Sequence, residues 1–181
     1  FKELFLVAVL PGVCEEIAHR GLIRAGYAEC KWKFVIVSAL LFSLMHQNIV
    51  QTGYTFFFGA TLALITYYTG SIWGGILIHF VNNAFSVFSE YVSQNGGAFD
   101  FINKISDWVY SSNLGFAVAA GVVVLCACLL VLFFFLMRKD AVKKERISDT
   151  PFDSGNLAKG YVDVPFLLTV AVGVCATIFS F

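Results

Sequence analysis

The chain has 181 residues, of which 59% are hydrophobic and only 13% charged, about half the charged share of an ordinary soluble domain. A soluble domain of this size lacks the interior to hide so much apolar surface. Composition therefore excludes a water-soluble globule and makes lipid the solvent for most of the chain. The formal net charge of zero singles out neither nucleic acid nor an acidic partner, and nucleic acid is not expected.

A helix needs roughly 20 apolar residues to cross a bilayer, and a helix satisfies its own backbone groups in lipid. The expected fold class is all-α, a polytopic transmembrane helical bundle of about six spans. In chain order the spans cover 4–27, with an unusual polar load, then 33–50, 54–70, 72–92, 114–137 and 164 to the end. Residues 114–137 carry no charge before Arg138. The third and fourth spans are joined by Tyr67-Tyr68-Thr69-Gly70-Ser71, which fits only a tight turn. Residues 97–112 interleave Phe101, Ile105 and Trp108 with Asp100, Lys104 and Asp107, a spacing that suits a helix lying in the interface plane. Residues 138–163 mix both charges with Pro151, Gly155 and Gly160 and read as a solvated loop. The expected organisation is a membrane core over 1–95, an interfacial segment over 96–112, and further transmembrane helices over 113–181 joined by a cytoplasmic loop, 138–163.

With that loop cytoplasmic, the positive-inside rule gathers ten of the twelve Lys and Arg residues on the same side, all but Lys2 and Lys104. Trp32 and Trp73 stand near span ends as interfacial anchors, and Gly74-Gly75 predicts close helix packing. The five cysteines, Cys14, Cys30, Cys126, Cys128 and Cys175, show no CxxC spacing and read as small buried hydrophobes. The first residue is Phe1 rather than Met, as expected of a piece of a longer protein.

Ionisable groups inside a span cost about 2.5–3.5 kcal/mol each, and here they cluster. The first span holds Glu15, Glu16, His19 and Arg20, the second His46, and the fourth His79, Asn82 and Asn83. Glu16 and Arg20 are four apart and share a helix face, which predicts a buried ion pair. Glu15 points about 100° away from Glu16 and stays outside that pair. His79 and Asn83 are also four apart, as are Phe42 and His46. At about 1.5 Å of rise per residue, Glu15 lies ~18 Å, His46 ~20 Å, His79 ~12 Å and Asn83 ~18 Å from the assigned cytoplasmic ends. Groups from three helices thus fall near one depth. Structural readings compete: a lone His or an Asn often serves as a hydrogen-bonded strut between helices.

The three clusters read E-E-I-A-H-R over 15–20, F-S-L-M-H over 42–46 and H-F-V-N-N over 79–83. Together they resemble the CPBP family of intramembrane proteases, which includes type II CAAX prenyl proteases and bacterial Abi-like and bacteriocin-immunity proteins. The family motifs EExxxR, FxxxH and HxxxN or HxxxD match in order within 15–83. Each motif alone is weak, and the ordered triple is specific. His19 departs from the aromatic or aliphatic residue usual before the motif arginine. The resemblance implies that Glu15 is the catalytic carboxylate, that His46 helps hold or activate the attacking water, and that His79 and Asn83 stabilise the oxyanion. Glu16, Arg20 and Asn82 are supporting residues. The implied activity is that of an intramembrane endopeptidase acting on a membrane-associated peptide or protein. The short loops suggest a bacterial plasma membrane.

The same residues allow a metal version, in which Glu15, His46 and His79 ligate one Zn2+ and leave a position for water; no HExxH pattern supports it. A metal-free water activated by Glu15 is slightly favoured, because the resemblance assigns His and Asn to the oxyanion. The rival classes are a non-proteolytic immunity or partner protein with a structural polar cluster, and an ion or proton carrier. The lack of inverted repeats weighs against the carrier.

Overall fold

The computed structural model describes residues 1–27, 31–95 and 100–147, and the described residues are helical without strands. The sixth expected span and most of the expected loop, from 148 onward, lie outside them.

The first element, α1, is one continuous rod. It runs as a π-helix over Leu4–Val9, an α-helix over Leu10–Glu16, a π-helix over Ile17–Leu22 and a last α-helical turn over Ile23–Gly26. Both wide stretches have local reasons. Pro11 removes one N–H from the ladder after the first. In the second, the His19 ring donates through Nδ1 to the Glu15 carbonyl at 2.9 Å, competing with the backbone for that acceptor. π-Helical turns are rare and frequent at functional sites, and these two bracket Glu15 and Glu16.

Four helices follow in the core and its flank: α2 over Lys31–Met45, α3 over Ile49–Thr69, α4 over Trp73–Asn95 and α5 over Asp100–Ser111. The last, α6, spans Asn113–Lys143. The expected second span is shorter than predicted, because Asn48 starts a new helix. Its Oδ1 accepts from the Val50 and Gln51 N–H groups, an N-cap that satisfies two orphan donors. Gly70 closes α3 in the left-handed region at φ 74°, its N–H bonded to the Thr66 carbonyl, the usual glycine stop. α5 forms where the amphipathic spacing predicts a helix, and none of its residues is buried. The loop expected from 138 begins later. Helix α6 continues through Arg138, Lys139 and Asp140, with Lys144 bonded to Asp140 at 2.9 Å one turn on.

α2 and α3 form an antiparallel hairpin, and α1 packs along α4. Ala39, Phe42, Leu62 and Ala63 fill the centre. Helix α6 joins through residues toward its C-terminal end, with Ala141 and Phe134 against Tyr68. By length and composition, two of the described helices, Ile49–Thr69 and Asn113–Lys143, are apolar enough to cross a bilayer. The cysteines correct a prediction. Cys14, Cys126 and Cys128 are exposed on the helix surfaces, not buried; a thiol is apolar enough to face lipid at little cost.

Candidate active site

Glu16 and Arg20 are both fully buried. Arg20 Nη1 donates to Glu16 Oε1 at 2.9 Å, as the four-residue spacing predicts, and Nη2 donates to the Gly59 carbonyl on α3 at 2.8 Å. The guanidinium also stands 4.6 Å from the Phe42 ring centre. Two glycines make this possible. A Cβ on Gly75 would sit 2.6 Å from Glu16 Oε2, and one on Gly59 would crowd Phe42 and Arg20. The Gly74-Gly75 pair therefore admits a carboxylate as well as a neighbouring helix.

His79 enters this cluster from α4 and is almost fully buried. Its Nδ1 lies 3.0 Å from Glu16 Oε1, and a carboxylate at that distance accepts, so Nδ1 carries hydrogen. Nε2 faces the other glutamate, with Glu15 Oε2 at 3.9 Å. The rings of Phe42 and Phe58 meet His79 edge-on at 5.5 and 5.7 Å. Glu15 itself is 22% exposed along its side chain, and its Oε2 accepts no hydrogen bond among the described residues. The two neighbouring carboxylates thus differ: one is locked into a pair and one is unengaged.

His46 lies just past the end of α2, in the turn before Asn48. The sequence placed it inside a longer span. Its Nδ1 donates to the Phe42 carbonyl at 2.8 Å, so a neutral ring presents Nε2 as an acceptor. On α4, Asn83 Nδ2 donates to the Val7 carbonyl of α1 at 3.0 Å. Asn82 Nδ2 donates to Asn83 Oδ1 at 3.1 Å, and the Tyr54 hydroxyl donates to Asn82 Oδ1 at 2.6 Å.

His46, His79, Asn82 and Asn83 line one cavity of about 340 Å³, together with Tyr54 and Phe58. Glu15 lies outside that wall and meets it at His79. A larger cavity of about 600 Å³ occupies the other end of the bundle, between Arg24, Phe34, Tyr67 and Gly70; it holds none of the histidines. Tyr54 and Phe58 escaped sequence reasoning. Tyr54 stands 28 residues before Asn82, and no periodicity connects them.

Among the described residues no three His, Cys, Asp or Glu side chains converge closely enough to hold a metal. His46 and His79 already spend Nδ1 on the Phe42 carbonyl and on Glu16, which leaves each ring only Nε2.

Comparison with known proteins agrees with the motif pattern over the same helices. Residues 1–85 match the family described as type II CAAX prenyl endopeptidase Rce1-like. No curated protein and no solved structure matches the chain. The matched stretch holds all three motif clusters and ends two residues beyond Asn83. Over that stretch, a little under half of the chain, the protein is similar to the CAAX-type family of intramembrane proteases, whose class of activity is that of a membrane-embedded peptidase, a hydrolase.

Proposed function

We propose that the histidine cavity hydrolyses a peptide bond in a prenylated C-terminal tail, with water as nucleophile. Glu15 and His79 Nε2 are 3.9 Å apart, too far for a hydrogen bond and close enough for one water to contact both. This distance is the observation that carries the reading. Glu15 takes a proton from that water as its oxygen attacks the scissile carbonyl. His46 offers Nε2 to orient the same water. Negative charge moves to the carbonyl oxygen, where the second N–H of Asn83 and the His79 ring stabilise it. The proton held by Glu15 passes to the leaving amine, the C–N bond breaks, and the free carboxylate glutamate is restored.

Glu16 and Arg20 support this chemistry from behind. The Arg20 guanidinium neutralises the Glu16 carboxylate, and the His79 ring donates to the same oxygen. Such pairing lowers the cost of keeping these ionisable groups in lipid. The family description supports this substrate class. The apolar surroundings suit a peptide delivered from the membrane by its lipid anchor.

The test is hydrolysis of a farnesylated tail peptide by the full-length protein in liposomes. His46→Ala is expected to lower kcat by about 10²–10⁴-fold, the span of a general acid–base contribution. A His46→Ala rate equal to wild type contradicts the assignment. Failure of the wild-type protein to cleave a farnesylated peptide, with cleavage of a transmembrane peptide instead, removes the prenylated substrate and keeps the peptidase.

A further inference from the structure

Four polar groups in the cavity wall form one hydrogen-bonded chain with a fixed direction. It starts at the Val7 carbonyl on α1. A carbonyl oxygen has two lone pairs and only accepts, so it takes the Asn83 amide at 3.0 Å whatever ladder bond it also holds. Asn83 therefore turns Nδ2 to α1 and Oδ1 to Asn82. Asn82 answers with Nδ2 at 3.1 Å and turns its own Oδ1 to Tyr54, whose hydroxyl donates at 2.6 Å. Turning over either amide sets oxygen against oxygen.

The consequence falls on Tyr54. A phenol has one hydrogen to donate, and here that hydrogen is committed to Asn82. The Tyr54 oxygen makes no other hydrogen bond among the described residues, so what it offers the cavity is lone pairs alone. Tyr54 lines the cavity beside His46, His79 and Asn83, and at 56% exposure it is open to a substrate. Its ring is stacked on Phe58, with centroids 5.8 Å apart and planes 13° from parallel, and Phe58 meets His79 edge-on at 5.7 Å. The acceptor thus stands one aromatic ring away from the histidine assigned to the reacting carbonyl. What every peptide can give an acceptor is a backbone N–H.

We propose that Tyr54 is a substrate-binding residue: its hydroxyl oxygen accepts a backbone N–H of the substrate close to the scissile bond, and so selects how the peptide lies in the cavity. This rests on the peptidase reading above. A peptide lying in another register turns a carbonyl to the same oxygen, and two acceptors facing each other leave both without a partner. The Tyr54 proton stays on its oxygen throughout, so the residue acts on binding and orientation and moves no proton.

The experiment uses the full-length protein in liposomes and a peptide series built on the farnesylated peptide, or on the transmembrane peptide if the wild type cleaves only that. In each member one amide other than the scissile one is replaced by an ester, which deletes a single N–H. Wild type is compared with Tyr54→Phe, which keeps the ring and loses the oxygen, in kcat/KM and Tm. For the wild type, one ester position is expected to lower kcat/KM about two- to tenfold, the worth of one net hydrogen bond. Tyr54→Phe is expected to lose a similar factor on the all-amide peptide and to cleave it no faster than that ester, as befits two groups that act on each other. An ester penalty that survives unchanged in Tyr54→Phe overturns the proposal and leaves the peptidase standing. So does a wild type indifferent to every ester, or a Tyr54→Phe protein that differs from wild type in Tm alone, which makes the hydroxyl a strut between α3 and α4. Wild-type protein that cleaves neither peptide overturns the peptidase reading and the proposal together. If Tyr54→Phe fails to accumulate, Tyr54→Leu lacks the same oxygen and is judged by the same comparison.

Discussion

Helix α6 and the interior of α1–α4 are opposites. Along the most apolar stretch of α6 no residue is buried, and Val123, Leu125, Leu129 and Val131 all show more than half their surface. Between α1 and α4 the side chains removed from solvent include Glu16, His19, Arg20 and His79. In water this arrangement would be inside out. In a bilayer the apolar surface needs no protein partner, so it places the helices without packing them. What packs them is close approach at glycine and hydrogen bonding between polar groups. Tolerance to substitution should follow the same division: α6 accepts any apolar residue, whereas the interior accepts almost none.

Four substitutions sharpen that contrast, taken in order of expected effect. Arg20→Met leaves Glu16 buried without its guanidinium, and thermal unfolding in detergent should show a loss of about 3–5 kcal/mol, as for other broken buried pairs. A Tm near wild type would mean that Glu16 finds its compensation elsewhere. On α6, Leu129→Lys puts a charge near the middle of an apolar span. Membrane-insertion assays should register a penalty of about 2.5–3.5 kcal/mol; unimpaired insertion would place this face in water rather than lipid. Gly75→Ala pushes a methyl against Glu16 Oε2, 2.6 Å from where its Cβ would stand. The expected cost is about 1–3 kcal/mol, the range for overpacking, with peptidase activity falling alongside. Stability and activity both unchanged would show that the carboxylate has room to move. Smallest of all, Leu129→Met should stay within about 0.5 kcal/mol, like other substitutions away from packed features.

The same division explains what was legible in the sequence. Hydropathy marked α6, and helical spacing marked the Glu16–Arg20 pair and the separate direction of Glu15, because these depend on the local chain alone. The ordered motifs pointed to one family, and the match over 1–85 agrees. Other features arise between elements and carry no local signal. Tyr54 reaches Asn82 only because α3 and α4 fold side by side. His46 leaves its helix because Asn48 caps the next one. The zinc alternative drew its three ligands from separate helices, and spacing along one helix says nothing of how side chains on different helices meet; among the described residues no group of three such side chains is placed to hold a metal. The cysteines were read as buried from their apolar surroundings, yet in lipid an apolar residue has no reason to turn inward.

Two adjacent glutamates give the sharpest test. Glu16 is bonded to both Arg20 and His79, while Glu15 is left with an unengaged oxygen facing His79. Hydrolysis rate and Tm measured on the same liposome samples separate their roles. Glu15→Gln should keep the wild-type Tm and lose activity by about 10²–10⁴-fold or more. A Glu15→Gln protein that cleaves the farnesylated peptide at the wild-type rate would contradict the assignment of the catalytic base, and with it the hydrolytic mechanism built around this cavity.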